Sequence, residues 1–133
     1  MHKKVLVAED EKDIRRLVVF TLQRAGFELI EAENGREALE LAVQHEPSII
    51  LLDVMMPYMD GYEVCRKLRS NPGTANTPVL FLSAKGQHYE VSEGLEAGAS
   101  GYIVKPFVPK ELTARVKDIL QKFYAPEEIE EKR

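Results

Sequence analysis

Apolar residues along this chain alternate between short unbroken runs and longer stretches where they recur every three or four positions. The runs are Val5-Leu6-Val7-Ala8, Ile49-Ile50-Leu51-Leu52, Val79-Leu80-Phe81-Leu82 and Tyr102-Ile103-Val104, with a shorter one at 27–32. Runs of this length predict strands, and near-continuous apolarity, as at 48–53, predicts a central strand covered on both faces. Between them, 11–25 carries Ile14, Val18, Leu22 and Ala25 at helical spacing and is closed by Gly26, a residue suited to the left-handed position past a helix end. Asn34, with Glu37 three residues on, has the capping pattern that opens a second helix running to about Gln44. Pro47 resets the backbone. A loop over 54–60 precedes a helix at 62–70, and Asn71-Pro72-Gly73-Thr74 is turn chemistry. A helix over 89–97 is expected to be weak and the most mobile element, because the Gly94 within it costs ~1 kcal/mol against alanine. Pro109 then opens a last helix with Leu112, Val116, Ile119, Leu120 and Phe123 on one face.

Five strands alternating with five helices imply right-handed crossovers, hence an α/β fold with a doubly wound five-stranded parallel sheet and helices on both faces. In such sheets ligands bind beyond the carboxyl ends of the strands, where strand order reverses. Four runs end there on residues that chemistry can use: Glu9-Asp10, Asp53, Ser83 and Lys105-Pro106. Any one of these alone is better explained as an ordinary strand-end residue. Their joint placement is what points to a site.

Size and charge narrow the picture. At 133 residues, 44% apolar and 30% charged, the chain fits one domain that can bury a core without disulfides or structural metal. A net charge of -4 and no Lys/Arg cluster argue against direct nucleic-acid binding. The one cysteine, Cys65, sits between Val64 and Leu68 where a small buried residue is wanted, and lone-cysteine usage has the look of a reduced, cytoplasmic protein. Nothing at the N-terminus resembles a signal peptide, and no run reaches membrane-spanning length.

Carboxylates at the ends of neighbouring strands repel one another unless a cation sits among them. Asp10, Asp53 and a nearby backbone carbonyl suit the oxygen preference of Mg²⁺, and the absence of cysteine or histidine near the cluster disfavours zinc. A carboxylate beside Mg²⁺ can act as a nucleophile toward a phosphoryl group. A lysine ammonium ~4 Å from a phosphoryl oxygen contributes ~4 kcal/mol at an effective dielectric near 20, before its desolvation is counted. Ser83 can donate a hydrogen bond to the same group.

Over residues 3–123 the chain resembles a response-regulator receiver domain of two-component signalling. The resemblance rests on Glu9-Asp10-Glu11, on Leu52-Asp53-Val54-Met55-Met56-Pro57 with Asp60-Gly61 beyond, on Ser83-Ala84, and on Lys105-Pro106-Phe107. It implies a flavodoxin-like, CheY-like (βα)5 fold with strand order 2-1-3-4-5. It also implies that Asp53 is the phosphoacceptor and that Asp10, Asp53 and the main-chain oxygen of Met55 hold Mg²⁺, with Glu9 acting through water. Ser83 and Lys105 would contact the phosphoryl group, Tyr102 would be the switch aromatic, and Lys105-Pro106 would be a cis peptide bond. The receiver would occupy 1–123, leaving 124–133 as a charged tail or linker stub. Ser83 stands where the family more often has threonine, and Val108 where a capping Asp or Ser is common. Met55 and Lys85 occupy positions that tune phosphoryl lifetime.

The first helix carries more apolar surface than its core stripe needs: Phe20 falls about 160° and Leu17 roughly 100° from the stripe centre, so Phe20 should be exposed. In receivers this helix and the loop holding Pro106 and Phe107 meet a sensor histidine kinase or a histidine phosphotransfer protein. The implied contacts are Arg16, Leu17, Phe20, Pro106 and Phe107. Output would leave through the helix after Ser83, the last strand and the last helix, to a downstream effector, an attached output domain or a phosphorylation-dependent dimer. Three alternatives fit the residues less well. A haloacid-dehalogenase-type phosphohydrolase needs a second Asp where Met55 stands and a cap for which there is no spare length. A flavin or nucleotide domain wants a Gly- or Ser/Thr-rich loop where Glu9-Asp10-Glu11 stands. A receiver-like module that is never phosphorylated has no reason to keep every site residue.

Overall fold

A computed structural model describes residues 3–84, 98 and 100–131. Its strands are β1 (Lys4–Ala8), β2 (Glu28–Ala32), β3 (Ile49–Asp53), β4 (Val79–Ala84) and β5 (Gly101–Lys105). The helices among the described residues are α1 (Lys12–Arg24), α2 (Gly35–His45), α3 (Gly61–Ser70) and α4 (Pro109–Glu131). The helix expected over 89–97 lies outside the described residues. All pairings are parallel and the sheet order is β2-β1-β3-β4-β5, as the resemblance implied.

Side-chain alternation along the strands builds two cores. Val5, Val7, Ile49, Leu51, Leu80, Leu82 and Ile103 point to one face, where Val18 and Leu22 of α1 and Leu112 and Val116 of α4 cover them. Leu6, Ala8, Ile50, Leu52 and Phe81 point to the other, under Ala38 and Ala42 of α2 and Val64, Cys65 and Leu68 of α3. β3 is buried along its whole length, as expected of a strand with neighbours on both sides and helices on both faces.

Helix ends follow local chemistry. Asn34 Oδ1 accepts from the Glu37 N–H at 2.9 Å, and Glu37 reaches back to the Glu33 N–H at 3.0 Å, so α2 starts where its capping pattern placed it. Asp60 caps α3 in the same way through the Glu63 N–H at 2.9 Å. Gly26 takes φ +97° just past α1, the left-handed conformation that glycine adopts without strain.

One expectation about a helix face needs correction. Phe123 was placed on the core face of the last helix but is 44% exposed. Tyr124 turns inward instead: it packs against the α1/α4 core, and its hydroxyl donates to the Ser48 carbonyl at 2.7 Å. At this end of α4 the inward position is taken by Tyr124, whose hydroxyl finds a partner in the Ser48 carbonyl. Within α1, Arg15 was given no role, yet it is buried.

Candidate functional site

The parallel register brings every strand end to one edge. Ala8 pairs with Leu52, Asp53 with Leu82, and Ala84 with Lys105, so Glu9, Asp10, Asp53, Ser83 and Lys105 leave the sheet on the same side. β1 and β3 are neighbours while their crossovers run to opposite sides. That opens the crevice between them, and the acids line it.

Glu9 and Asp53 are buried and Asp10 is exposed. One carboxylate oxygen from each of the three lies within 4.8 Å of the others. Lys105 reaches in from β5, its Nζ 3.0 Å from Asp53 Oδ1 and 2.8 Å from Glu9 Oε1. Asp53 Oδ1 also accepts from the Met55 N–H at 3.3 Å, and Glu9 Oε2 from the Glu11 N–H at 3.2 Å. Glu9 Oε1, although ion-paired with Lys105, has no well-formed hydrogen bond.

The electrostatics follow from this crowding. Burial, then the hydrogen bond and charge of Glu9, then Asp10 push the Asp53 carboxyl from its ordinary 3.8 up to about 8, and Lys105 only partly opposes them. Burial works against the Lys105 ammonium, but Glu9 and Asp53 outweigh it and hold its pKa above the usual lysine value. Among the described residues, three acids answered by one amine are short of positive charge. An all-oxygen donor set, one carboxylate oxygen from each of three acids within 4.8 Å of one another, fits a hard divalent cation such as Mg²⁺.

The loop after β3 is fixed by close packing. The Gly61 N–H donates to the Val54 carbonyl at 2.9 Å, and a Cβ at Gly61 would lie 2.5 Å from the Asp53 carbonyl oxygen and 3.0 Å from Phe81. Only glycine lets α3 begin this close to the strand that presents Asp53. Tyr58, in the same loop, is held at φ +71° with its side chain 97% exposed. The Lys105-Pro106 bond is cis, as expected.

Ser83 is buried on β4, across from Val104 of β5. Tyr102 lies half-buried on β5 with its ring 5.3 Å from Phe81 and its hydroxyl 3.3 Å from that of Tyr62, whose ring is in turn 5.0 Å from Phe81. Tyr62 had not been singled out, because at its position in the α3 pattern it reads as an ordinary core aromatic.

Of the residues expected at a docking face, Arg16, Leu17 and Phe20 are exposed on α1. Phe107 packs half-buried against the α1/α4 core, beside Pro106. A hollow of about 320 Å³ is lined by Glu11, Ile14, Leu17, Lys105, Pro106 and Phe107. A second, of about 270 Å³, is lined by Leu17, Phe20, Thr21, Arg24 and Pro109, and there the Arg24 guanidinium sits 5.4 Å from the Phe20 ring centre. Leu17 joins the two.

Comparison with known proteins agrees with the geometry. A family model described as the response regulator receiver domain matches residues 5–117. The transcriptional regulatory protein SrrA of Staphylococcus aureus is 47% identical over 122 residues, which are 92% of this chain and 49% of SrrA. The chain thus spans about half the length of the curated relatives it matches. Among solved structures, the chemotaxis response regulator CheY4 of Vibrio cholerae superposes with a TM-score of 0.85 at 37% identity, over 90% of this chain and 99% of that one. NtrX of Brucella abortus superposes with a TM-score of 0.90 at 26% identity, over 100% of this chain and 30% of that one. No helix among the described residues is long and apolar enough to cross a membrane.

Proposed function

Since this chain belongs to the response regulator receiver domain family of two-component systems, we propose that it accepts a phosphoryl group on Asp53 from a histidine kinase or histidine phosphotransfer protein in the cytoplasm. The observation that carries this reading is the Lys105–Asp53–Glu9 constellation, with Asp10 beside it, at one sheet edge.

Asp10, Asp53 and the Met55 main-chain oxygen would hold Mg²⁺, with Glu9 acting through water. Bound there, the ion would neutralise the acid cluster and stabilise charge on the transferring phosphoryl oxygens. The chain's own residues do the rest. The Asp53 carboxylate forms a bond to phosphorus as the bond from phosphorus to the phosphohistidine nitrogen breaks, and the released imidazole takes up a proton from solvent. Lys105, already 3.0 Å from Asp53 Oδ1, follows the charge as it moves onto the phosphoryl oxygens. Ser83 donates a hydrogen bond to the same group. Hydrolysis of the acyl phosphate by water then resets Asp53, so the domain catalyses its own phosphorylation and dephosphorylation as a signalling module rather than as an enzyme acting on other substrates.

Phosphorylation would draw Ser83 inward with Tyr102, favouring one conformer of the face made by β5 and α4. A downstream effector, an attached output domain or a second copy that binds this conformer better gains affinity from the shift. The joined hollows around Leu17, with Arg16, Phe20, Pro106 and Phe107, are the docking face proposed for the kinase.

Intact mass after incubation with Mg²⁺ and acetyl phosphate tests the central step. The native chain should gain one phosphoryl group and Asp53→Asn none; equal gain in both, or none in the native chain, counts against the reading. Transfer from the cognate kinase to Phe20→Ala should be slower, and an unchanged rate would remove Phe20 from the docking face.

A further inference from the structure

Arg15 of α1 is only 7% exposed, and no step described above uses it. Its guanidinium spans two elements. Nη1 donates to the main-chain oxygen of Glu9 at 2.8 Å, Nε donates to Glu31 Oε1 at 3.2 Å, and Nη2 lies 3.6 Å from Glu33 Oε1. Glu31 belongs to β2 and Glu33 follows it, so one side chain bridges the turn after β1 and the exit of β2. The planar fork of arginine suits such a bridge because its donors are fixed relative to one another.

The carbonyl that Arg15 holds belongs to the residue whose carboxylate lies in the acid cluster. The other polar groups of Glu9 are also committed. Its N–H donates to the Ala32 carbonyl at 3.2 Å, Oε2 accepts from the Glu11 N–H, and Oε1 pairs with Lys105. Arg15 fixes the remaining one, immediately before Asp10.

We infer that Arg15 is a positioning residue: by tying the main chain of Glu9 to the acidic exit of β2, it holds Glu9 and Asp10 in register with Asp53 for a divalent cation. This rests on reading the cluster as a cation site. Three roles for the guanidinium separate by their effect on Mg²⁺ affinity. If Arg15 only packs, its loss lowers stability and leaves affinity unchanged. If it acts only through its charge, its loss tightens binding, because a nearby positive group opposes a cation. If it positions the turn, its loss weakens binding, because the carboxylates are no longer held in place before the ion arrives.

The test is Mg²⁺ titration of the full chain, followed by amide NMR shifts, for the native protein and for Arg15→Gln, Arg15→Lys and Glu31→Gln. Arg15→Gln should weaken binding about tenfold or more. Arg15→Lys, which keeps the charge but not the fork, should lose a comparable amount. Glu31→Gln replaces the ion pair to β2 by a neutral amide while Glu33 stays in place, and should lose less than Arg15→Gln does. It decides the matter if the Arg15 variants do not fold. A native chain that does not bind Mg²⁺ overturns the cation-site reading itself. Native binding with unchanged or tighter affinity in Arg15→Gln, or full affinity in Arg15→Lys, overturns the positioning role alone. If only Glu31→Gln folds, native affinity in that variant overturns it too.

Discussion

As the proposed phosphoacceptor, Asp53 would be a nucleophile in a place that, without a cation, favours its protonated form. Its carboxyl is raised from 3.8 to about 8, so the stability tied to it is fully present below pH 4 and is lost as pH rises toward 8. In EDTA, Asp53→Asn should therefore gain in Tm relative to the native chain between pH 5 and 8, by about 4 °C or more at the upper end, and Mg²⁺ should narrow the gap. A Tm difference that stays flat across this range would show that the acid cluster carries no such strain. Tyr58 offers a second test at this scale. A side chain at φ +71° costs roughly 1–2 kcal/mol, and glycine returns part of that as chain entropy, so Tyr58→Gly should stabilise by about 0.5–1 kcal/mol in urea denaturation. The acids, Ser83 and Lys105 could be found in the sequence because each ends an apolar run. The Glu9–Lys105 pair could not, since pairing across β1, β3, β4 and β5 depends on strand order, which residue spacing does not contain. Arg15 left a faint trace: it lies about 60° from Val18 around the helix, on the flank of the buried stripe rather than opposite it.

At the level of elements, the start of α3 matters more to the site than any other helix end. Gly61→Ala would drive a methyl group into the Asp53 carbonyl, 2.5 Å away, and α3 would have to withdraw from β3. The expected result is a loss of about 2–4 kcal/mol, in the range of overpacking and strain, together with weaker Mg²⁺ binding. A stable variant with native Mg²⁺ affinity would mean that the β3–α3 loop yields without moving Asp53. Most elements could be read from their own residues. Asn34 and Glu37 marked α2 because both halves of the cap lie within four positions. Phe123 misled because Tyr124, with a hydroxyl that reaches the Ser48 carbonyl, takes the inward position at that end of α4.

For the whole molecule, the order of the strands decides function, because it sets β1 beside β3 and so brings Asp10 to Asp53. Periodicity predicted a parallel sheet wound on both sides, but the order itself came from the resemblance, since helix and strand periods do not say which strands pair. The molecule is also fastened at the opposite edge of the sheet, where Tyr124 of α4 donates to the Ser48 carbonyl just ahead of β3. Tyr124→Phe should cost about 1 kcal/mol and lower Tm while Mg²⁺ affinity stays native; a change in affinity would mean that strain travels the length of β3. Ser48 and Asp53 stand at opposite ends of one rigid segment. The scaffold can therefore be reinforced or loosened at its amino-terminal rim without retuning the reactive acid, and durability and reactivity become separately adjustable properties of the same five strands.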